Sequence, residues 1–204
     1  MDLNDDGFDD LISGGNSPGN VYLFKGSPTG FKARESIPED EAGLMLTSPA
    51  YFVDWDGDGD LDMFLGCKEG GVYYNANLGD KKQFKFGKRE PVLVNGKPIE
   101  LGIKTRVISV DWDSDGILDL VVAGDLAVDG DPGHVMFYRG RKDRSLADGV
   151  PLIPGKAQPI VGYRPWPHFV DWNKDGALDV LFGSVEAIEG GGIKGYVYLF
   201  LRKK

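Results

Sequence analysis

One nine-residue pattern, D-x-[DN]-x-D-G-x-x-D, occurs four times without a gap in these 204 residues, and no other feature constrains the fold as tightly. The copies begin at Asp2, Asp54, Asp111 and Asp171, so successive starts lie 52, 57 and 60 residues apart. Self-similarity at such a period marks an architecture of stacked supersecondary units, none of which buries its apolar face alone.

The flanks repeat as well. Short apolar runs precede three copies (Tyr51-Phe-Val53, Ile108-Ser-Val110, His168-Phe-Val170). A second run follows each motif: Leu11-Ile-Ser-Gly14, Met63-Phe-Leu-Gly66, Leu120-Val-Val-Ala123 and Val180-Leu-Phe-Gly183. After a glycine-containing turn comes a third: Val21-Tyr-Leu-Phe24, Val72-Tyr-Tyr74, Val135-Met-Phe-Tyr138 and Val197-Tyr-Leu-Phe200. Runs this short, rich in β-branched and aromatic residues, are strands rather than helices. The polar runs Gln83-Phe-Lys-Phe86 and Phe31-Lys-Ala-Arg34 suit outer edge strands, and the stretches 143–160 and 184–195 read as loops. The expected fold is all-β, a β-propeller of four-stranded antiparallel blades in a single domain 1–204, with repeats at approximately 1–50, 51–107, 108–167 and 168–204.

The motif carries oxygen ligands at positions 1, 3, 5 and 9: Asp2, Asn4, Asp6 and Asp10; Asp54, Asp56, Asp58 and Asp62; Asp111, Asp113, Asp115 and Asp119; Asp171, Asn173, Asp175 and Asp179. A tight curl permitted by the glycine at position 6 brings such side chains to one point. Hard oxygen donors without His or Cys favour Ca²⁺ over zinc or copper, and up to four ions are expected. The sixteen positions hold fourteen carboxylates, in a chain with 23 basic and 32 acidic residues and a formal charge of −9. Without cations each cluster is a set of repelling anions. An EF-hand opens with the same pattern but needs a bidentate Glu at position 12, where this chain has Ser13, Leu65, Val122 and Phe182. A nonapeptide calcium repeat has a period of nine, not near sixty. A plain solvated turn explains one copy but does not require an aspartate at position 9 four times.

At this point the chain resembles the FG-GAP or VCBS-type repeats found in integrin α-subunit propellers and in many bacterial exported, polysaccharide-processing proteins. Phe52-Val-Asp-Trp55-Asp-Gly-Asp-Gly59 and Phe169-Val-Asp-Trp172-Asn-Lys-Asp-Gly176 carry the likeness, which covers all four repeats. The resemblance implies a calcium loop joining the first and second strands of each blade, a structural metal, and a propeller of about seven blades. On that reading the chain is expected to be part of a larger ring, completed by blades of a longer chain or by self-association, with a small four-bladed ring as the alternative. The first repeat departs from the others in having Leu3 where they have Trp55, Trp112 and Trp172, so looser local packing is expected there. The three tryptophans themselves are expected to pack in the core or between blades.

The acidic balance argues against nucleic acid and anionic membranes as partners. No run of about 18 apolar residues is present to span a membrane. Cys67 is the only cysteine, so no internal disulfide forms, and it reads as a small core residue. The opening Met1-Asp2-Leu3-Asn4-Asp5-Asp6-Gly7 is acidic where a signal peptide is basic and then apolar, so any export signal is expected outside this segment.

Two functional readings stand. The first is a non-catalytic, calcium-stabilised propeller at an extracellular or cell-surface location, binding a glycan or protein ligand. The second is part of a polysaccharide lyase acting on uronate glycans, with Tyr163, Arg164 and His168 as candidate proton-transfer and charge-neutralising groups. Packing is the plainer role for His168, as for Trp166, which otherwise stacks on a sugar ring. The loop 188–194 is a connector or a binding rim, and the basic run 139–144 is a solvated loop or an acidic-glycan contact.

Overall fold

The structure, a computed structural model, describes residues 2–14, 21–37, 50–81, 84–125, 134–153 and 163–203. Sixteen strands and no helix are found among them. Sheet 1 contains β1 (Leu11–Gly14), β2 (Val21–Phe24) and β3 (Glu35–Ile37). Sheet 2 contains β4 (Tyr51–Val53), β5 (Asp62–Gly66), β6 (Val72–Asn75) and β7 (Glu90–Pro91). A small hairpin of β8 (Leu93–Val94) and β9 (Lys97–Pro98) follows, turning through Asn95-Gly96. Sheet 3 contains β10 (Ile103–Val110), β11 (Asp119–Asp125), β12 (His134–Tyr138) and β13 (Val150–Pro151). Sheet 4 contains β14 (Tyr163–Val170), β15 (Asp179–Ala187) and β16 (Ile193–Phe200). Every sheet is an antiparallel meander in chain order, the arrangement short turns enforce.

The motif spans the first hairpin in sheets 2, 3 and 4. Its closing pairs are Val53↔Asp62, Val110↔Asp119 and Val170↔Asp179, one register in three sheets. Alternation then sends successive side chains of each strand to opposite faces, and consecutive sheets pack face to face through three cores. Val21, Leu23 and Ile12 of sheet 1 meet Met63, Leu65 and Tyr73 of sheet 2. Phe64, Val72 and Tyr74, on the other face of sheet 2, meet Leu120, Val122 and Tyr138 of sheet 3. Val121, Ala123 and Val135 meet Val180, Phe182 and Phe200 of sheet 4. Among the described residues no core joins sheet 4 back to sheet 1.

Sheets 2 and 3 have the expected four strands, and sheets 1 and 4 have three among the described residues. Other expectations need correction. The fourth strand of sheet 2 is β7, paired with Tyr73 and Tyr74, not the run 83–86. Gln83 lies outside the described residues, while Phe84 and Phe86 stack on each other and meet Phe52 edge-on. These two rings are worth more in the first core than on a solvated edge. The outer strand of sheet 1 is β3, not Phe31–Arg34, and Arg34 instead lays its guanidinium 4.5 Å from the Tyr22 ring centroid. The stretch 184–195 is mostly strand: Ser184 pairs with Tyr196 and Glu186 with Lys194, so the hairpin tip is confined to 188–192. Its glycine run supplies three left-handed residues, Gly190, Gly191 and Gly192, to turn the chain. In 143–160 the structure places the short strand β13, and residues 154–160 lie outside those described.

Leu3 does not loosen the first repeat, since it is buried in the first core. Trp55 and Trp112 are partly buried, Trp55 edge-on to Phe64 and Trp112 edge-on to Phe169 of the next sheet. Trp172 breaks the expectation of core packing: it is 58% exposed, with no sheet packed over it among the described residues. Cys67 is buried as a small core residue.

Candidate metal centres

The four loops share one internal hydrogen-bond frame. The position-1 carboxylate accepts from the amides at positions 5 and 6: Asp2 from Asp6 and Gly7, Asp111 from Asp115 and Gly116, Asp171 from Asp175 and Gly176, at 2.8–3.2 Å. Asp54 accepts from Gly57 at 2.7 Å and Gly59 at 3.1 Å. The position-5 carboxylate accepts from the amide at position 7, as in Asp115 from Ile117 at 2.9 Å and Asp175 from Ala177 at 2.8 Å. These turns need left-handed backbone at position 4, where φ is 57° at Asp5, 76° at Gly57, 62° at Ser114 and 60° at Lys174. They need it again at position 6, where Gly7, Gly59, Gly116 and Gly176 have φ of 82–95°. A Cβ on Gly7, Gly59 or Gly116 would meet nothing within 4 Å, so the backbone angle, not space, favours glycine there. The position-4 requirement is hidden in sequence because Asp, Ser, Lys and Gly all occur there.

Position 9 behaves differently from the rest. Asp62, Asp119 and Asp179 are fully buried and Asp10 nearly so. One oxygen accepts from the position-2 amide: Leu3 at 3.0 Å, Trp55 at 3.1 Å, Trp112 at 2.9 Å and Trp172 at 3.0 Å. The other accepts from a backbone amide just past the third strand: Gly26 at 2.7 Å, and Asn77, Gly140 and Arg202 at 2.8 Å. Each of these aspartates therefore staples the loop to the segment leaving the third strand of its own sheet, a role its spacing alone did not reveal.

In repeats 2 and 3 the remaining carboxylates converge. Asp54, Asp56 and Asp58 each offer an oxygen within 4.8 Å of the others, as do Asp111, Asp113 and Asp115. In repeats 1 and 4 an asparagine takes position 3, leaving the pairs Asp2 and Asp6, and Asp171 and Asp175. Oδ1 of Asn4 and Oδ1 of Asp113 are buried acceptors with no donor, a state that costs free energy unless a cation or water faces them. Donor type, convergence and these orphaned oxygens all fit an oxygen-seeking divalent ion.

The electrostatics are those of crowded anions. Burial, then the nearby Asp62 charge, raises the Asp56 pKa, and burial followed by Asp58 raises that of Asp60, a fifth carboxylate in loop 2. Burial also raises Asp119 against the pull of the Gly140 and Trp112 amides. The exposed Asp2 is lowered, chiefly by the Gly7 amide. Loop 3 has a resident counter-cation: Arg139 Nε lies 2.7 Å from Asp113 Oδ2 and its Nη2 donates to Asp115 Oδ2 at 2.8 Å. The same register holds Lys25 in repeat 1, paired with Glu35 at 3.1 Å, and uncharged Ala76 and Leu201 in repeats 2 and 4.

The lyase candidates are placed less tightly. Tyr163 and Arg164 open β14 by backbone, with side chains outside those described. His168 is exposed and, with Trp166, lines a cleft of about 410 Å³ shared with Tyr51 and Arg106, two residues no motif singled out. The Tyr51 hydroxyl donates to the Ser109 carbonyl at 2.7 Å, and burial raises its pKa. Arg106 is buried, lies 3.8 Å from Asp125 and stacks 5.2 Å from the Trp166 ring centroid. From the basic run 139–144, Arg141, Lys142 and Arg144 line a shallower cleft of about 340 Å³ with Trp55 and Asp54, between loops 2 and 3.

The family model for the FG-GAP-like repeat matches residues 2–65, 54–122 and 111–182, each window running from one loop through the strand after the next. The chain belongs to the FG-GAP-like repeat family. A search of curated proteins found no match. The three overlapping FG-GAP windows cover all four loops, so the repeat unit is a hairpin loop together with the sheet that leads to the following loop.

Proposed function

We propose that this chain is a calcium-stabilised FG-GAP propeller module that works outside the cell and binds a glycan or protein ligand. The observation that carries the reading is the loop frame, which brings three carboxylates together in each of loops 2 and 3 and leaves Asn4 Oδ1 and Asp113 Oδ1 without donors. Positions 1, 3 and 5 would hold the ion. When bound, Ca²⁺ supplies charge neutralisation and cross-links the loop, while the position-9 aspartates hold the frame in register. Binding to the folded state alone stabilises by about 2.7 kcal/mol per site at a hundredfold excess over Kd. Exposed oxygen sites of this kind saturate where calcium is near-millimolar, which favours an extracellular setting. Calorimetric titration with Ca²⁺ and Mg²⁺, with melting curves in calcium and in EGTA, tests the reading. Saturable heat and a lower Tm in EGTA are expected; no heat and superimposed melting curves refute it.

A second reading, elimination on a uronate glycan, draws on the cleft that places His168 beside Trp166 and Arg106. The engagements of Tyr51 with Ser109 and of Arg106 with Asp125 give both side chains structural roles already, which favours the non-catalytic reading. Ultraviolet absorbance from unsaturated uronate products, in wild type and His168→Ala, separates the two. A His168-dependent signal would overturn the non-catalytic reading.

A further inference from the structure

The two ends of the sheet stack carry opposite halves of one interface. Aligned by the motif, Val21, Val72, Val135 and Val197 occupy the same register on the third run of each repeat. The first three are no more than 2% exposed, each covered by the following sheet, whereas Val197 is 74% exposed. Leu199, also exposed, pairs with the half-buried Leu181 on that same face of sheet 4, while the equivalents of Leu181, Phe64 and Val121, are buried and those of Leu199, Tyr74 and Phe137, are partly buried. The exposed Trp172 belongs to the same pattern, since Trp55 and Trp112 sit in the cores formed with the next sheet.

Sheet 1 shows the reverse. Its outward face presents Leu11, 46% exposed, and Ser13, also exposed. The equivalents of Leu11 are Met63, Leu120 and Val180, and those of Ser13 are Leu65, Val122 and Phe182. All six are buried against the preceding sheet. Among the described residues, the chain thus uses one pairing of faces three times internally and leaves one copy of each half uncovered.

We propose that the open face of sheet 4 docks on the open face of sheet 1 of a second copy, head to tail, continuing the sheet stack across two chains. The pairing is heterologous, so it closes into a ring or propagates according to the rotation between sheets. It stands independently of the calcium reading, because Leu11, Val197 and Leu199 are strand residues outside positions 1, 3 and 5 of the loops.

Light scattering over a dilution series of wild type, Val197→Glu and Leu11→Glu tests this. Both substituted residues are exposed, so each variant should keep the wild-type Tm of the isolated chain. Wild type is expected to self-associate and each variant to run as a monomer. An equimolar mixture of the two variants should regain a dimer, since one contributes an intact sheet 1 face and the other an intact sheet 4 face. A monomeric wild type at every concentration, as a chain closing on itself or awaiting another protein would give, overturns the proposal. So does a Leu11→Glu variant that still dimerises, because that outcome means sheet 4 pairs with sheet 4.

Discussion

Asp119→Ala separates the staple at position 9 from the ligands at positions 1, 3 and 5. Asp119 is fully buried and accepts from the Trp112 amide at 2.9 Å and the Gly140 amide at 2.8 Å. Alanine leaves both donors without an acceptor, at about 1–3 kcal/mol each, or about 2–6 kcal/mol together. The buried carboxylate itself carries a desolvation penalty, visible in its raised pKa, which alanine removes, so the net loss belongs in the lower half of that range. Against a total stability of about 5–15 kcal/mol this is a large fraction. Urea unfolding at neutral pH in EGTA measures it with no calcium present. Asp115→Ala is the comparison: it loses an exposed hydrogen bond from Ile117 and the surface pair with Arg139, both replaceable by water, so in EGTA it should cost far less. In calcium the Asp115→Ala loss should grow. If Asp119→Ala is harmless in EGTA and damaging only in calcium, the staple argument fails and position 9 acts as a ligand first.

The pH dependence of stability should change sign with calcium. In EGTA the raised pKa values of Asp56, Asp60 and Asp119 mean that these three groups bind more protons in the folded chain than in the unfolded one. The exposed, solvent-screened Asp2 and Asp143, with lowered values, contribute with the opposite sign. The contribution of the three raised groups is therefore full below the ordinary value of 3.8 and is lost as pH rises through the raised values, so Tm should climb as pH falls from neutral into that window. In calcium the same protonation expels the ion and Tm should fall; parallel slopes in the two buffers would refute the argument. Arg139→Ala should raise calcium affinity at loop 3 about fivefold by removing a competing charge a few ångströms away, measured by titration against wild type. Ser114→Gly should stabilise by about 0.5–1 kcal/mol and Gly116→Ala destabilise by about 1–2 kcal/mol, since both positions have positive φ; equal effects in urea melts would contradict the loop geometry.

Much of the site was legible because aspartate and glycine were repeated at fixed spacing. Four copies of Asp-x-[Asp/Asn]-x-Asp-Gly, each followed by an apolar run, determined the hairpin, the convergence of Asp54, Asp56 and Asp58, and the need for positive φ at Gly59 and its equivalents. Local geometry follows from local chemistry, so it survives in a one-dimensional pattern. Tertiary structure decided the rest. The second hydrogen bond of Asp119 goes to Gly140, 21 residues away, and no spacing rule joins them. Phe84 and Phe86 looked like an edge strand, and only the space beside Phe52 turned them inward. Val135 and Val197 stand in the same register after the same motif, yet one is sealed and the other open, because burial depends on whether another sheet lies across the face, and that is a property of the stack rather than of the repeat.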